Sequence, residues 1–326
     1  MAENIVAIRA STKKEMKQVE AVAPFQPKEG VNFKRAAFDA WVELGGKAAP
    51  AHYPMRILHG VVFRYVLPRI WEKGNVAKLR FASGYSICFD TFPDSLFYEV
   101  IPVIWDCWPA KVEIVAEFFR KNKTQTAIFT SSQTADIFRN MFPQMNILHI
   151  TEGVNINVYK KGKILKERGI DILEIGRKQI CFFKQSLPPN INHLKTGNFA
   201  RVFKSDEEFR EALANTKITM SVPRCDVDKE LAGNIETLTQ RYWECMLSRV
   251  IMIGRAPKEL IDLIGYNPVI DWDGNDATSI ALHILNNLDD YQELVDKNRE
   301  TAIKMADWSI RMEYIKRELE LLGYNI

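Results

Sequence analysis

Long apolar runs are missing from this chain. None of its 326 residues falls in a stretch approaching the roughly 20 consecutive apolar residues that a spanning helix needs. The first twenty, MAENIVAIRASTKKEMKQVE, lack the apolar core of a secretory signal. Both absences lead us to expect a cytoplasmic protein. Cysteine is sparse. Cys88, Cys107, Cys181, Cys225 and Cys245 lie far apart, form no C-x-x-C pair and are odd in number, which argues against a disulfide framework and a structural zinc site. The histidines, His52, His59, His149, His193 and His283, show no H-E-x-x-H or comparable spacing, so no metal is expected. Repeats and low-complexity segments are also absent. A net charge of +3 is too small to imply a nucleic-acid partner.

What is present reads as a globular protein, with 47% hydrophobic and 26% charged residues and enough length for two domains with separate cores. Charge is unevenly spread. Residues 1–160 carry 20 basic and 15 acidic side chains, and residues 161–326 carry 24 and 26. The basic excess of the first part sits among aromatics, in Arg64–Arg80 (RYVLPRIWEKGNVAKLR) and Phe118–Lys123 (FFRKNK). Such a surface is either simply solvated or suited to resting on an anionic membrane, where each basic residue gains about 1 kcal/mol.

Short β-rich runs alternate with helical patterns, which favours parallel sheets built from βαβ units. Expected strands are Leu79–Phe89, Val100–Trp105, Thr126–Thr130 and Ile147–Ile150, then Ile170–Ile175, Lys217–Val222, Val250–Ile253 and Pro268–Trp272. Expected helices are Ala110–Lys121, Thr134–Met141, Asp206–Ala214, Leu238–Leu247, Pro257–Ile264 and Ala277–Leu288. The polar, lysine-rich stretch Glu152–Glu167 marks a break, giving domains of residues 1–155 and 156–326. Residues 290–322 read as charged helical structure with Ile303, Met305, Trp308, Ile315 and Leu319 at helical spacing. Residues 1–50 yield no pattern.

Ligands of open parallel sheets bind beyond the carboxyl ends of the strands. That rule selects Arg177 and Lys178 after DILEIG, Arg224 after KITMSVP, and the helix start from Thr237 through Thr239 to Arg241. Basic residues beside a helix start suit a diphosphate, because guanidinium forks and free backbone N–H groups both favour a dianion. In the first half the rule selects Asp90, Asp106, Ser131 and Ser132. Glu236 and Glu244 are separated by seven residues (E-TLTQRYW-E), which puts Glu244 about two turns beyond Glu236 if the latter sits at the loop edge.

The stretch Ser221–Asp273 (SVPRCDVDKELAGNIETLTQRYWECMLSRVIMIGRAPKELIDLIGYNPVIDWD) resembles the donor half of GT-B glycosyltransferases, most nearly the bacterial families of capsule and lipopolysaccharide assembly. The E-x7-E pair and the following P-x-E-L-I stand in that family's order. ERGIDILEIGR resembles its opening strand and Gly-Arg turn, and the helix around Trp308 and Arg311 its final helices. The resemblance covers residues 145–315, and the first 140 only by general α/β pattern. It implies two Rossmann-like domains facing across a cleft, with C-terminal helices packing back. The first would bind a glycan or lipid-linked acceptor and the second a nucleotide-diphosphate sugar, with no further cofactor. Glu236 would face the donor sugar, Glu244 would bind the ribose and Arg177 the diphosphate.

The chain departs from the family pattern at three places. Phe182 stands where a lysine is common, the glycine-rich segment before the first glutamate is reduced to Gly233, and Ser248 replaces a glycine. We therefore expect Arg224 or Arg241 to supply part of the phosphate charge, and a metal-independent enzyme of hexosyltransferase type. If configuration inverts, the acceptor's base is Asp106 or, second, Asp90, although both also fit ordinary turn or cap roles. The E-x7-E resemblance favours retention, with no enzyme base required. Asp271, Asp273 and Asp276 (DWDGND) read better as turn and cap residues than as a metal site. Trp105, Trp108 and Tyr242 read as core, with Trp108 kept beside His59 as an acceptor-side candidate; His149 reads as structural. Two rivals remain: a nucleotide-sugar epimerase or hydrolase of the same architecture, and a non-catalytic two-domain sugar-binding or regulatory protein of the periplasmic-binding type.

Overall fold

The computed structural model describes residues 16–24, 33–50, 65–176, 181–196 and 202–326. These form two parallel sheets. In the first, β1 (Gln18–Val22), β2 (Lys47–Ala49), β3 (Val76–Ser83), β4 (Glu99–Trp105), β5 (Thr126–Phe129) and β6 (Asn146–His149) run in the order β2-β1-β3-β4-β5-β6. With them come α1 (Phe33–Glu43), α2 (Ile87–Thr91), α3 (Asp94–Phe97), α4 (Pro109–Asn122) and α5 (Ser132–Met141). The second sheet has β7 (Ile170–Glu174), β8 (His193–Lys195), β9 (Thr216–Ser221), β10 (Ile251–Gly254) and β11 (Ile270–Asp271) in the order β11-β10-β9-β7-β8. Its helices are α6 (Asp206–Ala214), α7 (Arg224–Val227), α8 (Lys229–Ala232), α9 (Gln240–Leu247), α10 (Lys258–Ile264), α11 (Thr278–Asn286), α12 (Gln292–Met305) and α13 (Trp308–Leu321).

The central strand β4 explains the first sheet. All of EVIPVIW is buried, as a parallel strand covered on both faces must be. Ile101, Val103 and Trp105 enter one apolar cluster and Ile104 the other, the two-residue alternation of a strand. Glu99, at its start, is buried only because Lys17 donates to its carboxylate at 2.6 Å and the Tyr324 hydroxyl at 2.5 Å. In the second sheet Leu173 and Met252 pack toward α9 and α12, whereas Ile172, Ile218, Ile251 and Ile253 pack toward α11.

The chain crosses between the sheets twice, and the crossings bind each other. Val154 N–H donates to Ala306 at 2.9 Å and Trp308 N–H to Val154 at 3.1 Å. After the second crossing α13 lies on the first sheet, where Trp308, Met312, Ile315 and Leu319 join Val19, Trp41 and Trp105. The Trp105 and Trp308 rings are 5.6 Å apart. The closing helix therefore packs on the sheet farthest from it in sequence.

Several sequence expectations need correction. The strand expected over Leu79–Phe89 is Val76–Ser83, and SICF turns into α2. Asp90 enforces that turn, because its Oδ2 accepts from Ser83 N–H at 2.9 Å and Ser86 Oγ at 2.6 Å. The strand expected over Pro268–Trp272 is only Ile270–Asp271. The helix expected from Leu238 starts at Gln240. Among the described residues, no helix is long and apolar enough to cross a membrane.

Candidate functional site

The carboxyl ends of β7, β8 and β9 face the carboxyl end of β4, and a cleft lies between them. Its pocket, about 360 Å³, is walled on one side by Asp106 and on the other by strand ends and the start of α9. Of the expected residues, Asp106, Arg224, Thr239 and Arg241 line it. Arg177, Lys178 and His59 lie outside the described residues.

Asp106 ends β4 in a left-handed conformation, φ 49°, and is exposed. Aspartate tolerates that region better than most side chains, and strain of this kind concentrates at functional positions. Its neighbour Cys107 is buried, which pushes the thiol up to about 12 and removes it as a nucleophile.

On the other wall, Thr239 is the N-cap of α9 and Arg241 stands in the helix's first turn. Arg241 donates to the Ile175 carbonyl at 2.7 Å and lies 3.9 Å from Glu244. Arg224 pairs with Asp228 at 3.2 Å and hangs over the Trp108 ring at 6.0 Å. Each arginine is thus fixed by one anion in the protein, yet remains at the pocket surface. Two guanidinium groups and the start of α9, whose first N–H is already held by Glu152, make this wall the basic end of the site.

Glu236, Thr237, Glu244 and Trp108 do not line this pocket. Glu236 accepts from Arg255 at 2.8 Å and from the Lys258 backbone N–H, so both its oxygens are engaged at the rim. Arg255 also clasps Asp226 at 2.7 and 2.9 Å, and these contacts hold its guanidinium above the ordinary range. Glu244 accepts from the Tyr159 hydroxyl at 2.8 Å. Burial and that carboxylate raise the Tyr159 phenol, which stays a donor. Thr237 and Trp108 border a cavity of about 10 Å³ at the junction of the two halves, room for one water. Trp108 itself packs with Cys225, Ala232 and Ile235, so it is core across the junction rather than an open aromatic platform. Asp90 accepts from Lys34 at 2.7 Å as well as from β3 and α2, and it does not line the cleft pocket.

Polar contacts close the junction. Ser132 N–H and Leu238 N–H both donate to Glu259, at 2.6 and 3.0 Å, and Glu236 N–H donates to Gln133 at 2.7 Å. Gly233 has φ +56°, and a Cβ there would stand 3.0 Å from Pro109 Cγ, so the two halves meet where only glycine fits. Gly254 likewise ends β10 against Ser221, where a Cβ would meet the Ser221 carbonyl at 1.9 Å.

Sequence reasoning missed Glu152, Glu174, Lys195, Thr196 and Arg255. Glu152 is buried at the crossing between the sheets and accepts from Gln240 N–H at 3.1 Å. Burial, with Asp106 next, raises its carboxyl well above the usual range. Glu174, Lys195 and Thr196 line the pocket from β7 and β8, and β8 is a three-residue strand too short to leave a periodic signal. In DWDGND, Asp276 accepts from Thr278 N–H at 3.0 Å and Thr278 Oγ1 at 2.6 Å. These bonds hold its carboxyl down at about 2. Among the described residues, no three His, Cys, Asp or Glu side chains cluster as metal ligands.

The two basic–aromatic segments adjoin each other. Arg69 N–H donates to Lys121 at 3.3 Å and Asn122 Nδ2 to Leu67 at 3.2 Å, which leaves Tyr65, Ile70 and Trp71 about 60% exposed among the cations (62%, 61% and 58%). Arg64 lies outside the described residues. The patch is at the far end of α4 from Trp108, roughly 20 Å from the cleft at 1.5 Å per residue.

No family model matches the chain, and no curated protein matches it in sequence. Its fold has clear counterparts among solved structures. HepE of Anabaena, solved with UDP and glucose, is similar with a TM-score of 0.60 at 10% identity, over 94% of this chain and 100% of that one. Sucrose-phosphate synthase of Thermosynechococcus elongatus gives 0.58 at 11% identity, over 94% and 100%. AviGT4, a glycosyltransferase involved in avilamycin A biosynthesis, gives 0.54 at 10%, over 94% and 98%. The chain has the GT-B fold: two Rossmann-like domains facing across a cleft.

Proposed function

We propose that the chain is a glycosyltransferase that moves a sugar from a nucleoside diphosphate donor to a glycan or lipid-linked acceptor, in surface polysaccharide synthesis. The observation that carries this is the pocket wall formed by Arg224, Arg241 and the start of α9, opposed by Asp106. Departure of the donor's diphosphate builds negative charge, and fixed cations and backbone dipoles aimed at that charge are commonly the largest catalytic contribution. HepE was solved with UDP-glucose, and the shared fold supports a donor of that class here.

In this reading residues 156–326 supply the donor site and residues 1–155 the acceptor site. Arg177 and Lys178 join the diphosphate from the loop after β7. Thr237 and Thr239, just before and at the start of α9, belong to the donor side. Glu244 serves the ribose. Glu236 serves the sugar, with Arg255 holding it at the rim. Asp106 orients the acceptor hydroxyl, and His59 belongs to the acceptor side. Configuration is retained and no divalent metal is needed. The Tyr65–Trp71 patch rests on an anionic membrane at the cytoplasmic face.

Purified protein incubated with a panel of nucleotide sugars and oligosaccharide acceptors, with and without EDTA, tests the reading. Acceptor-dependent transfer that survives EDTA and keeps the donor's anomeric configuration by NMR is expected. Nucleotide release from donor alone at full rate would point instead to a hydrolase, and no turnover of any donor would remove the proposal.

A further inference from the structure

The cation that the Gly-Arg loop lacks has a physical replacement on the neighbouring strand. Phe182, where the resembling family carries a lysine, is buried in the second sheet's core and packs on Trp272 with ring centroids 5.4 Å apart. The backbone of Lys184 is held elsewhere, its N–H donating to Asp276 at 3.0 Å. Neither position directs a built cation at the pocket. Lys195 does line it.

β8 pairs in parallel with β7 so that Lys195 stands opposite Glu174. The Glu174 side chain is only 6% exposed, and its two oxygens take His193 Nε2 at 2.7 Å and Lys195 Nζ at 3.0 Å. A buried carboxylate needs such partners. In return it fixes the ammonium at the pocket wall, while the Lys195 side chain keeps 38% of its surface exposed. The next residue ties the same wall to the loop that opens at Ile175. Thr196 N–H donates to the Glu174 carbonyl at 2.9 Å, and Gly176 N–H donates to Thr196 Oγ1 at 3.0 Å. Gly176 and the end of β8 are therefore tied together at one rim of the pocket.

We propose that Lys195, held by Glu174 and backed by His193, contacts the diphosphate of the bound donor and replaces the missing loop lysine. The inference rests on the donor site proposed above. Lys195 is a binding residue in it, and Glu174 and His193 are positioning residues.

Calorimetric titration of the full chain tests this, using the nucleoside, monophosphate and diphosphate of whichever base the wild type prefers among uridine, thymidine, guanosine and adenosine. Lys195→Met should weaken diphosphate binding about 10- to 100-fold, the range of one charge-assisted hydrogen bond, and leave nucleoside binding unchanged. Lys195→Arg should restore most of the loss. Because Lys195→Met leaves the buried Glu174 carboxylate with His193 alone, the Glu174→Gln/Lys195→Met pair is measured beside it and should show the same phosphate-selective loss. Equal affinity in wild type and variants, or a loss shared by the nucleoside, overturns the role of Lys195 while leaving the donor site standing. Failure of the wild type to bind any diphosphate removes both.

Discussion

Glu152→Gln should stabilise the protein at neutral pH, and the gain should grow as pH rises. Glu152 is 8% exposed where the chain crosses between sheets, close enough to Asp106 for that charge to be its second perturbant after burial. Both raise its carboxyl above the usual value. A carboxyl whose folded pKa is raised favours the protonated fold, so it costs nothing below the unfolded pKa of about 4.5. The cost accumulates as pH climbs from there toward the folded pKa. Glutamine keeps the shape and can accept from Gln240 N–H, but it never ionises. One proton of linkage gives at most about 1.4 kcal/mol per pH unit. At about 2–4 °C per kcal/mol in domains of this size, the difference in melting temperature should widen by up to about 3–6 °C per pH unit. Differential scanning fluorimetry at pH 5, 6, 7 and 8 reads this directly. Asp106→Asn placed in both proteins should shrink the pH-dependent part of their difference. A gap between Glu152→Gln and wild type that does not change with pH, or a variant less stable at pH 8, would refute the reasoning.

Other outcomes follow from the same geometry. Arg241→Met should raise the dissociation constant for the preferred nucleoside diphosphate about 10- to 100-fold by calorimetry and leave the nucleoside unaffected. Asp106→Asn should lower kcat with little change in donor affinity, as steady-state kinetics with saturating acceptor would show. Trp308→Ala should cost about 3–5 kcal/mol in denaturant unfolding, because the ring is 1% exposed between α13 and Trp105.

Much of the fold was legible because parallel βαβ units announce themselves. VIPVIW, TAIF and KITMS are apolar or β-branched runs between helical patterns, and a fully buried parallel strand has little other way to be written. What escaped is short or irregular. β2 and β8 are three residues each and draw their stability from the neighbour they pair with rather than from their own periodicity. SICF looked like strand because aromatic and β-branched residues suit both states, and only the Asp90 bonds to Ser83 and Ser86 decide for a helix.

The site shows the same division. Arg224, Thr239, Arg241 and Asp106, which line the pocket, are singled out by asking which residues end strands or begin helices, a question about local pattern. Lys195, Glu174 and Glu152 needed tertiary knowledge. Lys195 faces the pocket because an edge strand pairs with β7, and Glu152 is buried because two crossings meet beside α9. Glu236 lies in the loop before α9, the condition under which its spacing to Glu244 is read, yet its engagement by Arg255 depends on a residue nineteen positions away.

The most direct test of the account is a crystal structure of the chain with the nucleoside diphosphate it binds best, grown with EDTA present. The diphosphate should lie in the pocket between Arg224 and Arg241, with its oxygens within hydrogen-bond distance of both guanidinium groups. A nucleotide bound anywhere outside that pocket, or phosphates turned away from both arginines, would contradict it.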